Sequence, residues 1–205
     1  MKKMLMIAPA AAALGALGGY AAGGFVVSGA VAGLVWLAPA AVVARVVNRR
    51  PDRLPNRANL WALLGALSAA LLIGGAVAQK MMFPTPERYL AMIQSGAGDG
   101  ATGFFIVFNT LLEWIVLPIA LLCNGRLPGR RGIATVAAVI FYAERVATYL
   151  YFAPTVLSWT TAQSSPALLH EAAVWTNLDS IRIAVDAITM ILLLITGLRP
   201  VRPEQ

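Results

Sequence analysis

Charge is what this chain has little of. Only 12% of its 205 residues are Asp, Glu, Lys or Arg, while 59% are hydrophobic and the mean hydropathy is +0.74. Ordinary soluble domains carry roughly 25% charged residues, so a water-soluble globular enzyme and an extended disordered protein are both excluded. There is one cysteine, Cys123, which rules out an internal disulfide, and one histidine, His170, too few for a zinc module or a bis-histidine haem site. Acidic residues number 9 against 16 Lys and Arg, a formal net charge of +7. In a soluble chain that excess would suggest nucleic acid. In so apolar a chain it reads as a topological signal instead, and the expected partner is the lipid bilayer, not nucleic acid.

What is abundant is apolar sequence in membrane-length runs. A helix needs roughly 20 mostly apolar residues to cross a hydrocarbon core of about 30 Å. From Met4 to Val47 the sole charge is Arg45, a length that suits two crossings broken at Gly23-Gly24. Further spans read as 59–79, 103–123, 133–157 and 179–198, separated by segments rich in Pro, Gly and charge. The expected fold is an all-α polytopic membrane protein of about six transmembrane helices. Positive residues should gather on cytoplasmic loops. Lys2, Lys3, Arg45, Arg49, Arg50, Arg53, Arg57, Arg126, Arg130, Arg131, Arg199 and Arg202 fall on one side of that six-span arrangement, and Lys80 and Arg88 on the other. The expected location is therefore a bacterial-type inner membrane, with both termini cytoplasmic and segments 80–102 and 158–178 outside. A secretory signal peptide is the rival reading of the first span, since Lys2-Lys3 precede an apolar run and small residues. It leaves the same orientation, and the segment is taken as helix one.

The chain divides into an N-terminal Gly/Ala-rich transmembrane hairpin (1–47), a basic cytoplasmic linker (48–58) broken by Pro51 and Pro55, a four-helix bundle core (59–198) and a cytoplasmic tail (199–205). Gly15, Gly19 and Gly23 recur every fourth residue, and Gly29 and Gly33 repeat the spacing. Such ridges let helix backbones approach closely in lipid. They could join the first two helices to each other, or serve a homo-oligomer or a larger membrane complex. No internal repeat supports a transporter built from inverted halves.

Ionisable groups at membrane depth are costly unless paired or hydrated, so each asks for a partner. Asn109 and Glu113 are four apart and share a face of the fourth span. Glu144 and Arg145 lie near the centre of the fifth, with Thr148 and Tyr151 continuing the face of Glu144. Asp179, Arg182 and Asp186 form one stripe on the sixth. Their depths suggest that these groups meet. Counting Glu113, Glu144, Asp179 and Asp186 against Arg145 and Arg182 leaves a surplus of two negative charges. Either a carboxyl is held protonated, or a cation is bound, or water enters. A purely structural network is the competing reading, and it would be expected to balance. A carboxylate di-metal site usually needs Glu-x-x-His, which does not occur. Trp175, Asn177 and Arg182 stand at the mouth of the last span. Trp114, Trp159 and Trp175 read by default as interfacial anchors, and His170 as a solvated loop residue. Pro118 and Pro154 should kink the fourth and fifth spans and open a cavity between them.

Two stretches carry a resemblance. Trp175-Thr176-Asn177-Leu178-Asp179-Ser180-Ile181-Arg182, followed by an apolar run through Leu192 to Ile195, resembles the last helix of the anthrone oxygenase-like family of small membrane proteins, in which a Trp, an Asn-containing turn and an Arg open the final span. Tyr89-Leu90 through Gln94, then Phe104 to Phe108, looks like that family's segment after its first helix. The likeness covers about residues 59–198. It implies oxygenation of a hydrophobic, electron-rich polycyclic phenol without metal, flavin or other cofactor. Such chemistry needs a base and a cation for the developing oxyanion. Glu113 or Asp186 is the expected base, and Arg182, then Arg145, the expected cation. Asn109, Glu144, Tyr151, Trp175 and Asn177 are the expected substrate contacts. Two non-enzymatic readings stand beside it: an integral subunit docking through its glycine ridges, and a proton-coupled carrier using Glu144 and Asp186.

Overall fold

The structure is a computed structural model. It describes residues 2–36, 38–39, 42–43, 45–46 and 53–200, with side chains from Ala8 onward. Arg49, Arg50, Pro51 and Arg202, together with the side chains of Lys2 and Lys3, lie outside the described residues.

All regular structure among the described residues is helical. Two helices come first, α1 (Lys2–Ala21) and α2 (Val26–Val35), and residues 38–39, 42–43 and 45–46 are also helical. Then follow α3 (Leu54–Met82), α4 (Pro86–Gln94), α5 (Asp99–Asn124), α6 (Pro128–Trp159) and α7 (Pro166–Leu198). Four of these, α3, α5, α6 and α7, are long and apolar enough to cross a membrane. Each exceeds the minimal span read from sequence, because local signals carry the helix into the flanking segments. Ser165 caps α7 by accepting from the Leu168 N–H, with Pro166 at the first helical position. Segment 158–178 is thus mostly the opening turns of α7, not a loop. His170 lies exposed on that helix. Likewise Thr85 caps α4 within segment 80–102.

The turn between α1 and α2 falls where it was expected. Gly23 and Gly24 have φ of +113° and +89°, a region that side chains with a Cβ avoid. The glycine ridges are used within this hairpin. A Cβ on Gly15 would strike the Gly29 carbonyl oxygen, one on Gly19 the Phe25 carbonyl oxygen, and one on Gly33 the Ala11 carbonyl oxygen. These four glycines therefore face one another across the α1–α2 interface.

In the rest of the chain, α3 lies along α7, and α7 along α6, while α5 packs against both α3 and α6. Small residues bring α3 and α7 together: Gly197 sits against Leu63 and Ala62, and Gly65 against Leu193. Leu72, Leu112, Leu117, Phe141 and Leu193 form the apolar centre. At one end Asn124 donates to the carbonyls of Ala58 and Ala120, at 3.1 and 2.9 Å, and Arg130 donates to Asn59 and to the Arg199 carbonyl. At the other end α4 presses Tyr89, Leu90, Met92 and Ile93 onto Trp159, Leu168 and Trp175. Leucines such as Leu60, Leu67 and Leu71 point outward from α3, as expected of helices whose solvent is lipid.

Candidate functional site

The polar residues gather where α3, α6 and α7 meet. Arg145 is 1% exposed, and its Nε and Nη2 donate to the two carboxylate oxygens of Glu144 at 2.6 and 2.7 Å. Two nearly parallel bonds from one guanidinium to one carboxylate are the strongest form of this contact. Thr148 donates to Glu144 Oε1 at 2.6 Å. Two successive turns of α7 supply the next members. Arg182 donates from Nε to Asp179 at 2.7 Å and from Nη1 to Asp186 at 3.4 Å, and lies 3.7 Å from Glu144. From the end of α3, Lys80 reaches Asp179 at 3.3 Å and donates to the Thr176 carbonyl at 2.6 Å.

Lys80 corrects the charge count. Read from sequence as an outer topological marker, it is in fact a member of the network. Lys80, Arg145 and Arg182 then balance Glu144, Asp179 and Asp186, and the surplus falls from two charges to one. That one belongs to Glu113.

Glu113 stands beside this network without pairing into it. It is fully buried, and among the described residues it forms no ion pair. Tyr149 donates to its Oε2 at 2.7 Å, Tyr142 donates to its backbone carbonyl at 2.7 Å, and its Oε1 is buried with no hydrogen-bond partner. Arg145 is close enough to act on it electrostatically.

Both Glu113 and Tyr149 sit in π turns. Residues Leu112–Val116 and Thr148–Phe152 are π-helical, with Leu117 donating to the Leu112 carbonyl and Ala153 to the Thr148 carbonyl. In each case the next residue is the proline, Pro118 or Pro154, whose missing N–H deprives the carbonyl four residues back of its α-helical bond. The expected local disruption thus takes the form of a widened turn, a feature frequent at functional sites. The extra residue also resets the face of α6. Thr148 continues the face of Glu144 as expected, but Tyr151 is exposed, and Phe152 takes the inward position, with the Arg182 guanidinium 6.0 Å from its ring centroid. Tyr151 therefore does not reach the site.

The remaining expected residues separate. Trp175 is buried beneath α4, stacked on Tyr89 at 5.3 Å, with its indole N–H donating to the Phe152 carbonyl at 3.1 Å. Trp159 is fully buried in the same cluster. Neither is an interfacial anchor, because α4 covers both. Burial pushes the Tyr89 hydroxyl well above the ordinary phenol range, with Asp179 adding to the effect. Asn177 is exposed, whereas Asn109 is half-buried with its Oδ1 enclosed and unpartnered. Sequence reasoning missed Lys80 as a member of the network, and missed that Tyr142 and Tyr149 are donors to Glu113. The signal was available: a buried carboxyl needs donors, and α6 offers two tyrosine hydroxyls at its level.

Fold and site define a helical protein with four membrane-length helices and an enclosed, charge-balanced polar centre flanked by one extra carboxyl. Comparison with protein-family models, with curated proteins and with solved structures finds no match to the chain.

Proposed function

We propose that the protein is a six-span membrane protein, a four-helix bundle joined to an N-terminal hairpin. Both termini lie on the cytoplasmic side of a bacterial-type inner membrane. In this reading its polar centre abstracts a proton from a hydrophobic substrate, with Glu113 as the base. The observation that carries this is the arrangement at Glu113: a fully buried carboxyl outside a balanced ion network, with one oxygen held by Tyr149 and the other unpartnered. Asp186 is the weaker candidate, because Arg182 already holds it.

The resemblance of residues 59–198 to anthrone oxygenase-like proteins gives the reaction its form. A proton leaves an electron-rich polycyclic phenol or its keto form for Glu113, and the resulting anion passes electrons to O₂. The network supplies positive charge nearby through Arg145, with Arg182 positioning Glu144 and Asp186. A well-placed general base contributes about 10²–10⁴-fold in rate. Oxygen uptake by membranes given a tricyclic phenol should therefore fall by about 10²-fold or more with Glu113→Gln, and also fall with Arg182→Ala. Unchanged uptake in both variants would overturn the reading. The carrier alternative uses Glu144 and Asp186, which are each bound to an arginine. The docking alternative uses glycines that α1 and α2 already bury against each other.

A further inference from the structure

The N-terminal hairpin forms one side of a groove of about 450 Å³, whose other side is α5 and α6. Gly18, Phe25 and Trp36 line it from the hairpin, Thr110 and Trp114 from α5, and Tyr149 from α6. Pockets of roughly 300–1,000 Å³ with apolar and aromatic walls and a few polar groups suit small molecules. The tyrosine that walls this groove is the same one that donates to Glu113. Its hydroxyl lies 3.8 Å from where a Cβ on Gly18 would be. A glycine at position 18 thus leaves the Tyr149 oxygen uncovered.

We propose that this groove binds a membrane-dissolved molecule with an apolar body and a hydroxyl group, and that Tyr149 relays the hydroxyl proton to Glu113. The proposal rests on Glu113 being the proton acceptor. Three observations select the ligand chemistry. The lining holds no charged residue, so a charged headgroup would find no counter-ion. Tyr149 has one hydroxyl hydrogen and has committed it to Glu113 Oε2, so towards the groove its oxygen can only accept. The ligand must therefore be a donor. Ser28, the nearest hydroxyl on α2, is turned to the Phe25 carbonyl at 3.0 Å.

The relay balances. The ligand O–H bond breaks as its proton passes to the Tyr149 oxygen, and the proton that Tyr149 gives up passes to Glu113 Oε2. The ligand becomes an oxyanion, Glu113 becomes a neutral acid, Tyr149 ends as it began, and no electrons change hands. The unpartnered Glu113 Oε1 stays an acceptor throughout.

The test uses the full chain in liposomes and 4-hydroxybenzophenone, an apolar hydroxyl donor that forms covalent bonds on illumination, with 4-methoxybenzophenone as the non-donor control. The hydroxyl probe should label peptides of α1, α2 and the Trp114 region. Labelling should fall by about fivefold or more, as for loss of one hydrogen bond, with the methoxy probe and in Tyr149→Phe. Gly18→Leu should block it by covering the hydroxyl. Infrared difference spectra on adding the hydroxyl probe should show a new protonated-carboxyl band, absent in Glu113→Gln. Equal labelling by both probes, or undiminished labelling of Tyr149→Phe, would overturn the groove whatever the band shows. Hydroxyl-selective labelling without the band would overturn the relay and the assignment of Glu113 as base, and leave the groove standing.

Discussion

Arg145 commits two guanidinium nitrogens to its own chain neighbour, Glu144, at 2.6 and 2.7 Å. Adjacent residues on a helix point about 100° apart, so neither would ordinarily be read as the other's partner; the sequence places both at mid-span but does not pair them. Burial decides it, because an uncompensated charge there is more costly than a bent side chain. Removing one member leaves the other exposed to that cost. Arg145→Leu should destabilise the protein by about 3–5 kcal/mol, as for other broken buried pairs. Arg145→Leu combined with Glu144→Gln should cost clearly less than the two single losses added together. Thermal unfolding in one detergent, across the four proteins of that cycle, measures both quantities. Strict additivity would mean that Glu144 is held by Thr148 and Arg182, not by Arg145. The same logic explains what was legible at the site. Residue type and depth were enough to single out Glu113, Glu144, Arg145, Arg182 and Asp186. Lys80 was not legible, because its place in the network depends on α3 lying beside α7, which no local pattern encodes.

Periodicity served the elements well where the backbone stays α-helical and failed where it does not. Asp179, Arg182 and Asp186 share a stripe as spacing predicts, whereas Tyr151 is displaced by the π turn at Thr148–Phe152. Proline marked both irregular turns, but not that each would take in an extra residue. The helix starts at Thr85 and Ser165 were legible in principle as cap and proline pairs; a span rule that looks for apolar residues passes over them. In the hairpin, glycine spacing left open what the ridge would meet, and the structure sets it against its own partner helix. Gly29→Leu should therefore push α1 and α2 apart, because its Cβ would already strike the Gly15 carbonyl oxygen. Spin labels at the exposed positions of Tyr20 and Val31 should report a separation larger by about 2 Å or more, the spread of ordinary interaxial distances. Gly18→Ala should leave the separation unchanged, since position 18 faces Tyr149 and not α2. An unaltered distance in Gly29→Leu would mean that the hairpin is not held by this ridge.

At the scale of the whole molecule, charge and packing describe the same two ends. Arg130 and Arg199 meet near Asn59 and Asn124, while Lys80 and the α4 cover lie at the opposite end. With four membrane-length helices alternating between these ends, the basic end is the one proposed to be cytoplasmic, by the bias of Lys and Arg towards that side. In the hairpin, α2 is 10 residues long, about half of a membrane crossing. Cys123 makes the topology testable, being the sole cysteine and fully buried among Ala58, Ile119 and Leu127. In a Cys123→Ala background, single cysteines at the exposed positions Asn56, Arg126, Glu87 and Gln163 can be probed with a membrane-impermeant maleimide on intact cells. Cysteines at Glu87 and Gln163 should label at once, and those at Asn56 and Arg126 only after the membrane is broken. A fifth cysteine, at Ala22 in the α1–α2 turn, decides the span count. Labelling from outside means that α1 crosses and the chain returns, giving the six-span arrangement with the groove open to lipid. Labelling only after lysis means that the hairpin stays on the cytoplasmic side, which would remove its contact with Tyr149 and with it the route to Glu113.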